Sequence, residues 1–151
     1  ENKMLPATGK PTNVAQIREL LNEMAKAVRA KDVNACTAYY APDFLSFDLV
    51  NPLQRAGAEA ARKRAEEWFA SWQGPIDYDI RDLAVTAENE TAFCHSMNHV
   101  RGTKTDGQTV DMWWRSTLGL RKIDGEWMIT HEHLSVPFDM TNGKASLNLT
   151  P

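Results

Sequence analysis

The sequence predicts an α+β fold, with helices covering one face of a curved, mainly antiparallel sheet. Two observations carry this. Ahead of Trp72 lie two long helical segments, one with apolar residues at three- and four-residue steps from Ile17 to Val28 and one rich in Ala, Glu, Arg and Lys over 58–72. From Ile76 onward the pattern changes to long strand-like runs separated by short turns rich in Gly, Asn and Asp. Helices gathered ahead of a four-stranded meander place them together on one side of it. The length, 151 residues, suits one domain with a single core.

Residues 1–12 hold two prolines and a glycine with no apolar period and are expected to be a loose arm. Asn13 can cap a helix in which Ile17, Leu20, Leu21, Met24 and Val28 form one face, ending near Lys31-Asp32. A short helix is expected over 34–40, stopping before Pro42. A strand over 44–50 lies between Pro42 and Pro52, and Gly57 precedes a second long helix over 58–72. The meander runs over 76–86, 91–101, 109–123 and 126–136, and residues 139–151 form a polar tail after a single domain over 13–138.

Composition narrows the function. Net charge is −3, so the basic footprint of a nucleic-acid binder is absent. No run of about 18 apolar residues is present, so no membrane-spanning helix is expected. Two cysteines, Cys36 and Cys94, are too few for a disulfide framework and are expected to be reduced and buried. No secretory signal is visible, which predicts a cytoplasmic protein unless a signal peptide was removed ahead of Glu1. No phosphate-binding glycine loop, nucleophile elbow or Cys–His pair appears, and no cofactor is expected.

All four histidines lie in the meander, so the faces of its strands matter. A three-residue loop at Ile123-Asp124-Gly125, with Val100 opposite Val110, would place Arg115 between His95 and His133. One face then carries Phe93, His95, Met97, His99, Trp113, Arg115, Thr117, Trp127, Ile129, His131, His133 and Ser135. The other carries Met112, Trp114, Leu118, Leu120, Met128, Thr130 and Leu134. The first, a polar cluster among aromatics, is expected to be the pocket under the helices. The second, apolar face is expected to pair with another copy of the chain. His131-Glu132-His133 lacks the helical zinc spacing and a cysteine pair, so no metal is expected.

Over residues 14–138 the sequence resembles the nuclear-transport-factor-2-like superfamily, in its ketosteroid-isomerase-like and SnoaL-like branch. The carriers are the first helical stripe, "AYYAPDFLSFD", "QRAGAEA" and "WWRSTLGLRKIDGEWMITHEHLSVP". The last string is similar to small bacterial ketosteroid isomerase homologues. The resemblance implies a cone-shaped barrel with a deep pocket and a homodimer through the convex sheet face. It places Asp48 where the isomerases keep their proton-moving aspartate. It places Met24 where they keep a hydroxyl donor, and Arg115 or Thr117 where they keep a protonated acid, so efficient steroid isomerisation is not implied.

The expected catalytic residues are therefore Asp48, His133, Arg115 and His95, with Asp48 or His133 moving a proton. Arg115 is either a bidentate clamp for a substrate anion or a structural ion pair with Glu132 or Asp48. Met24, Met97, Trp113, Thr117, Trp127, His131 and Ser135 are the expected wall. The function expected is a cofactor-independent isomerase, cyclase, dehydratase or hydrolase acting on a small apolar carbonyl or carboxylate compound. The alternative is a non-catalytic ligand-binding or oligomerisation module on the same fold.

Overall fold

The first apolar stripe forms α1 (Pro11–Ala30) in the computed structural model, which describes Leu5, Thr8, Gly9 and residues 11–151. Val14, Ile17, Leu20, Leu21 and Val28 are buried along it, each burial stabilising by about 1.5–3 kcal/mol. The helix starts two residues before Asn13, which is not its cap. Buried Asn13 instead donates to the Glu88 carbonyl (3.1 Å) and accepts from Lys122 Nζ (2.8 Å), tying α1 to two turns of the meander. Part of the expected arm lies outside the described residues. The rest is not loose: β1 (Thr8–Gly9) pairs in parallel with β4 (Asp77–Ala87), and Arg18 donates to the Leu5 carbonyl.

The short helix α2 (Val33–Thr37) is capped by Asp32, whose carboxylate accepts from Ala35 N–H at 3.0 Å. It ends before the expected position because β2 (Tyr40–Phe47) begins early and runs through Pro42. Proline has no N–H for a ladder, and the parallel pairing of β2 with β7 (Glu126–Ser135) is irregular between Tyr40 and Leu45, which accommodates it. After β3 (Arg55–Ala56), Gly57 at φ 95° turns the chain into α3 (Ala58–Ala70), a backbone conformation that favours glycine. With β5 (Thr91–Thr103) and β6 (Thr109–Ile123), the sheet order is β1-β4-β5-β6-β7-β2-β3. Of its six pairings only β1–β4 and β2–β7 are parallel, and its two edges are two-residue strands. The sheet is curved and open, and the whole is an α+β cone fold.

The register departs from expectation in two places that largely cancel. Asp124 and Gly125, at φ 52° and 83°, form a two-residue turn rather than a three-residue loop, with Ile123 opposite Glu126. Thr130 is then an extra residue, since Leu120 pairs with Ile129 but Gly119 with His131. Before this bulge Trp127 and Ile129 share a face with Leu120; after it His131, His133 and Ser135 share a face with Thr117 and Arg115. Between β5 and β6 the pairing is shifted by two residues, which keeps parity, so Arg115 lies opposite Met97 and His95 opposite Thr117.

The larger correction concerns which face the helices cover. They cover the apolar one. Trp114, Leu120, Trp127 and Ile129 are buried, and Met112, Leu118 and Leu134 line the space beneath α1 and α3. Leu118, Leu120 and Trp114 therefore do not form a dimer surface. The helical stripes are apolar and gain most from an apolar partner.

Candidate functional site

A cavity of about 240 Å³ lies between the helices and the inner sheet face, at the small end of ligand sites. Its apolar wall includes Leu21, Met24 and Val28 of α1, Trp68 and Phe69 of α3, and Met112, Trp114 and Leu118 of β6. Polar groups enter from β2 and its extension (Tyr40, Ser46, Asp48), β3 (Arg55), α3 (Arg64), β5 (Ser96, Asn98), β7 (Glu132) and Lys104. Tyr78 and Asn98 are joined at 2.8 Å, and Ser96 Oγ donates to Asn98 Oδ1 at 2.7 Å.

Asp48, placed here by the resemblance, does line the cavity, but as the centre of an ion network. Its Oδ2 accepts from Arg55 Nη1 at 2.7 Å and from Arg64 Nε at 2.8 Å, while Oδ1 accepts from Leu49 N–H at 2.6 Å. The side chain is 6% exposed. Arg55 is further fixed by donating to the Asn51 carbonyl at 2.7 Å.

Glu132 is a second carboxyl in the same cavity and makes a different environment for itself. Its Oε2 accepts from Ser46 Oγ at 2.6 Å, and among the described residues no arginine forms an ion pair with it. The residue is half-buried and lines the cavity. Burial is the main reason its pKa is pushed up to about 7; the nearby Asp48 charge adds to this, while the Ser46 hydrogen bond and the two arginines oppose it. Tyr40 is stacked at a tilt on Phe44 (4.3 Å), and burial followed by the Glu132 charge holds its phenol well above the ordinary range. Its hydroxyl makes no hydrogen bond among the described residues. Cys36, also on the wall, is pushed up to about 12 by burial, so it keeps its proton.

Of the residues expected at the site, the cavity brings together only Asp48 and Met24. Trp127 is buried in the core beside Ile129 and does not reach the cavity wall. His95, Met97, Trp113, Arg115, Thr117, His131, His133 and Ser135 lie on the outer face of the sheet. There Arg115 is exposed and donates from Nε to Ser135 Oγ at 3.0 Å, pairing with neither Glu132 nor Asp48. His99 stacks on Trp113 at 4.1 Å, and His131 donates from Nδ1 to the Leu45 carbonyl at 2.8 Å. Phe47 packs edge-on against His131 and His133.

Glu132, Arg55, Arg64, Lys104 and Tyr40 were not expected at the site. Glu132 alone left a signal: it alternates with Leu134 on the apolar face, where an acid is unusual. The others come from segments whose approach to the cavity depends on how α3 and β2 pack. Among the described residues, no group of three or more His, Cys, Asp or Glu side chains is placed to hold a metal ion. No described helix is long and apolar enough to cross a membrane.

The family model for the SnoaL-like domain matches residues 17–139. A solved NTF2-like protein of unknown function from Pseudomonas putida KT2440 is 32% identical, with TM-score 0.86 over 94% of this chain and 99% of that one. The same fold is shared with a ketosteroid isomerase-like protein from Erwinia carotovora atroseptica (20% identity, TM-score 0.71, 83% and 97% of the two chains). It is also shared with a candidate scytalone dehydratase from Novosphingobium aromaticivorans (10% identity, TM-score 0.75, 93% and 96%). No curated protein matches the chain. The cone fold, the match across most of the chain and the Pseudomonas relative agree: this chain belongs to the SnoaL-like domain family of the NTF2-like superfamily.

Proposed function

We propose that the chain is a cofactor-independent acid–base enzyme that moves a proton at carbon next to a carbonyl, the step shared by isomerisation and carbonyl-assisted dehydration. The observation that carries this reading is Glu132: a carboxyl on the wall of a mainly apolar cavity, hydrogen-bonded to Ser46 and separate from the Asp48 ion network. Two carboxyls in one site with different surroundings divide the labour. Asp48 holds Arg55 and Arg64 in place, and Glu132, near neutrality, takes and returns the proton. Tyr40 supplies the hydroxyl donor to the developing oxyanion, a task Met24 cannot perform. The test is deuterium exchange next to the carbonyl of 2-tetralone, followed by NMR. The protein should accelerate exchange, and Glu132→Gln should lower that acceleration by about 100-fold or more. No acceleration, or an equally active variant, would reject the reading.

The same reading pairs two copies through the outer sheet face. That face presents Phe93, 51% exposed, together with Met97, Trp113 and Phe47, and no element among the described residues covers it. Sedimentation velocity at micromolar concentration should give a dimer, and Phe93→Asp should shift it toward monomer. A monomeric wild type would remove this part of the proposal.

A further inference from the structure

The cavity carries an excess of positive charge where α3 meets the end of β5. Arg64 gives its Nε to Asp48 at 2.8 Å, and its two terminal nitrogens make no hydrogen bond among the described residues. Lys104 lines the same cavity, its Nζ 3.8 Å from the centre of the Trp72 ring and 2.8 Å from Ser71 Oγ, and no carboxylate forms an ion pair with it among the described residues. Burial makes Lys104 easier to deprotonate, the Arg64 charge adds to the effect, and the nearby Asp106 charge opposes it. Three cations, Arg55, Arg64 and Lys104, thus share the wall with Asp48, which is committed to two of them, and with Glu132, which is partly protonated near neutrality. The rings of Trp68 and Trp72, edge to face at 5.8 Å, line the same cavity as Arg64 and Lys104.

We infer that the cavity binds a small aromatic carboxylate, with its carboxylate between Arg64 and Lys104 and its ring against Trp68 and Trp72. A planar carboxylate matches the two free nitrogens of a guanidinium, and an anion there relieves the repulsion between the two cations. The small volume and aromatic wall exclude a large polar anion. The inference rests on the cavity being the ligand site, as the acid–base reading does, but not on Glu132 moving a proton.

The experiment is calorimetric titration of the full chain, at pH 7.5 and low chloride, with 2-naphthoate and with its uncharged analogue 2-naphthamide. Naphthoate should bind about 10- to 100-fold more tightly, the contribution of hydrogen bonds to a charged group. Lys104→Met should reduce that preference to within about threefold, and Arg64→Gln should do the same provided it remains folded. Equal binding of the two compounds, binding of neither, or an undiminished preference in Lys104→Met would overturn the inference. If the unmodified protein shows no preference but still accelerates 2-tetralone exchange, the ligand class alone is rejected. Lost exchange with the preference intact rejects the proton-transfer reading alone.

Discussion

Glu132→Gln is expected to be more stable than the wild type at pH 8, with the difference closing as the pH falls. The folded-state pKa is about 7 against an ordinary 4.5. Below the ordinary value the carboxyl is protonated whether the chain is folded or not, and this group does not favour either state. Between the two values the unfolded chain loses its proton while the folded chain keeps it, so folding becomes steadily less favourable. Above about 7 the full cost applies, of the order of 3 kcal/mol for a shift from 4.5 to about 7. Glutamine carries no charge at any of these values and still accepts from Ser46. Urea unfolding from pH 5 to 8.5 checks this; parallel stability curves for the two proteins would contradict it. On the proposed acid–base function, the same ionisation sets the direction of activity. Tetralone exchange by the wild type should rise with pH through about 7, as the basic form of Glu132 fills.

Asp48→Asn is expected to destabilise the fold by about 3 kcal/mol at neutral pH, because it leaves two guanidinium groups at the cavity without their anion. Arg55 and Arg64 are 19% and 28% exposed, so water screens only part of this cost. Urea unfolding measures it, and Asp48→Asn combined with Arg55→Gln should recover part of the loss, since the two residues act as a unit. A change below about 0.5 kcal/mol would mean that the network is only a surface pairing. The result also separates two roles for Asp48. A general base there would show lost exchange with little lost stability. An anchor for the arginines shows the opposite order, with stability lost first and exchange retained in the fraction that remains folded.

The α+β class, the long helices and the four meander strands were legible in the sequence, because each rests on a local period that burial of one face imposes. The stripe through Ile17, Leu20 and Leu21 and the alternation along β6 needed no knowledge of their partners. The grouping of His95, Met97, Trp113, Arg115 and Thr117 on one face was legible for the same reason: a two-residue slip in pairing preserves parity. Local pattern did not decide which face would be covered. Both faces of the meander carry aromatics and methionines, and seeking polar groups for a pocket led to the outer one. Tertiary packing settled it, by setting the apolar helices on the apolar face and leaving Arg115, His95 and His133 outside. It also decided the cavity's chemistry. Arg55, Arg64 and Asp48 come from a strand, a helix and the end of another strand; only folding brings the two guanidinium groups within 3 Å of the Asp48 carboxylate. The Thr130 bulge turns Trp127 and Ile129 inward while keeping His131 and His133 outward, so Glu132 between them faces the cavity. A single unpaired residue in a ladder leaves no trace in a hydrophobic period, because it shifts the register of the strand without changing its composition.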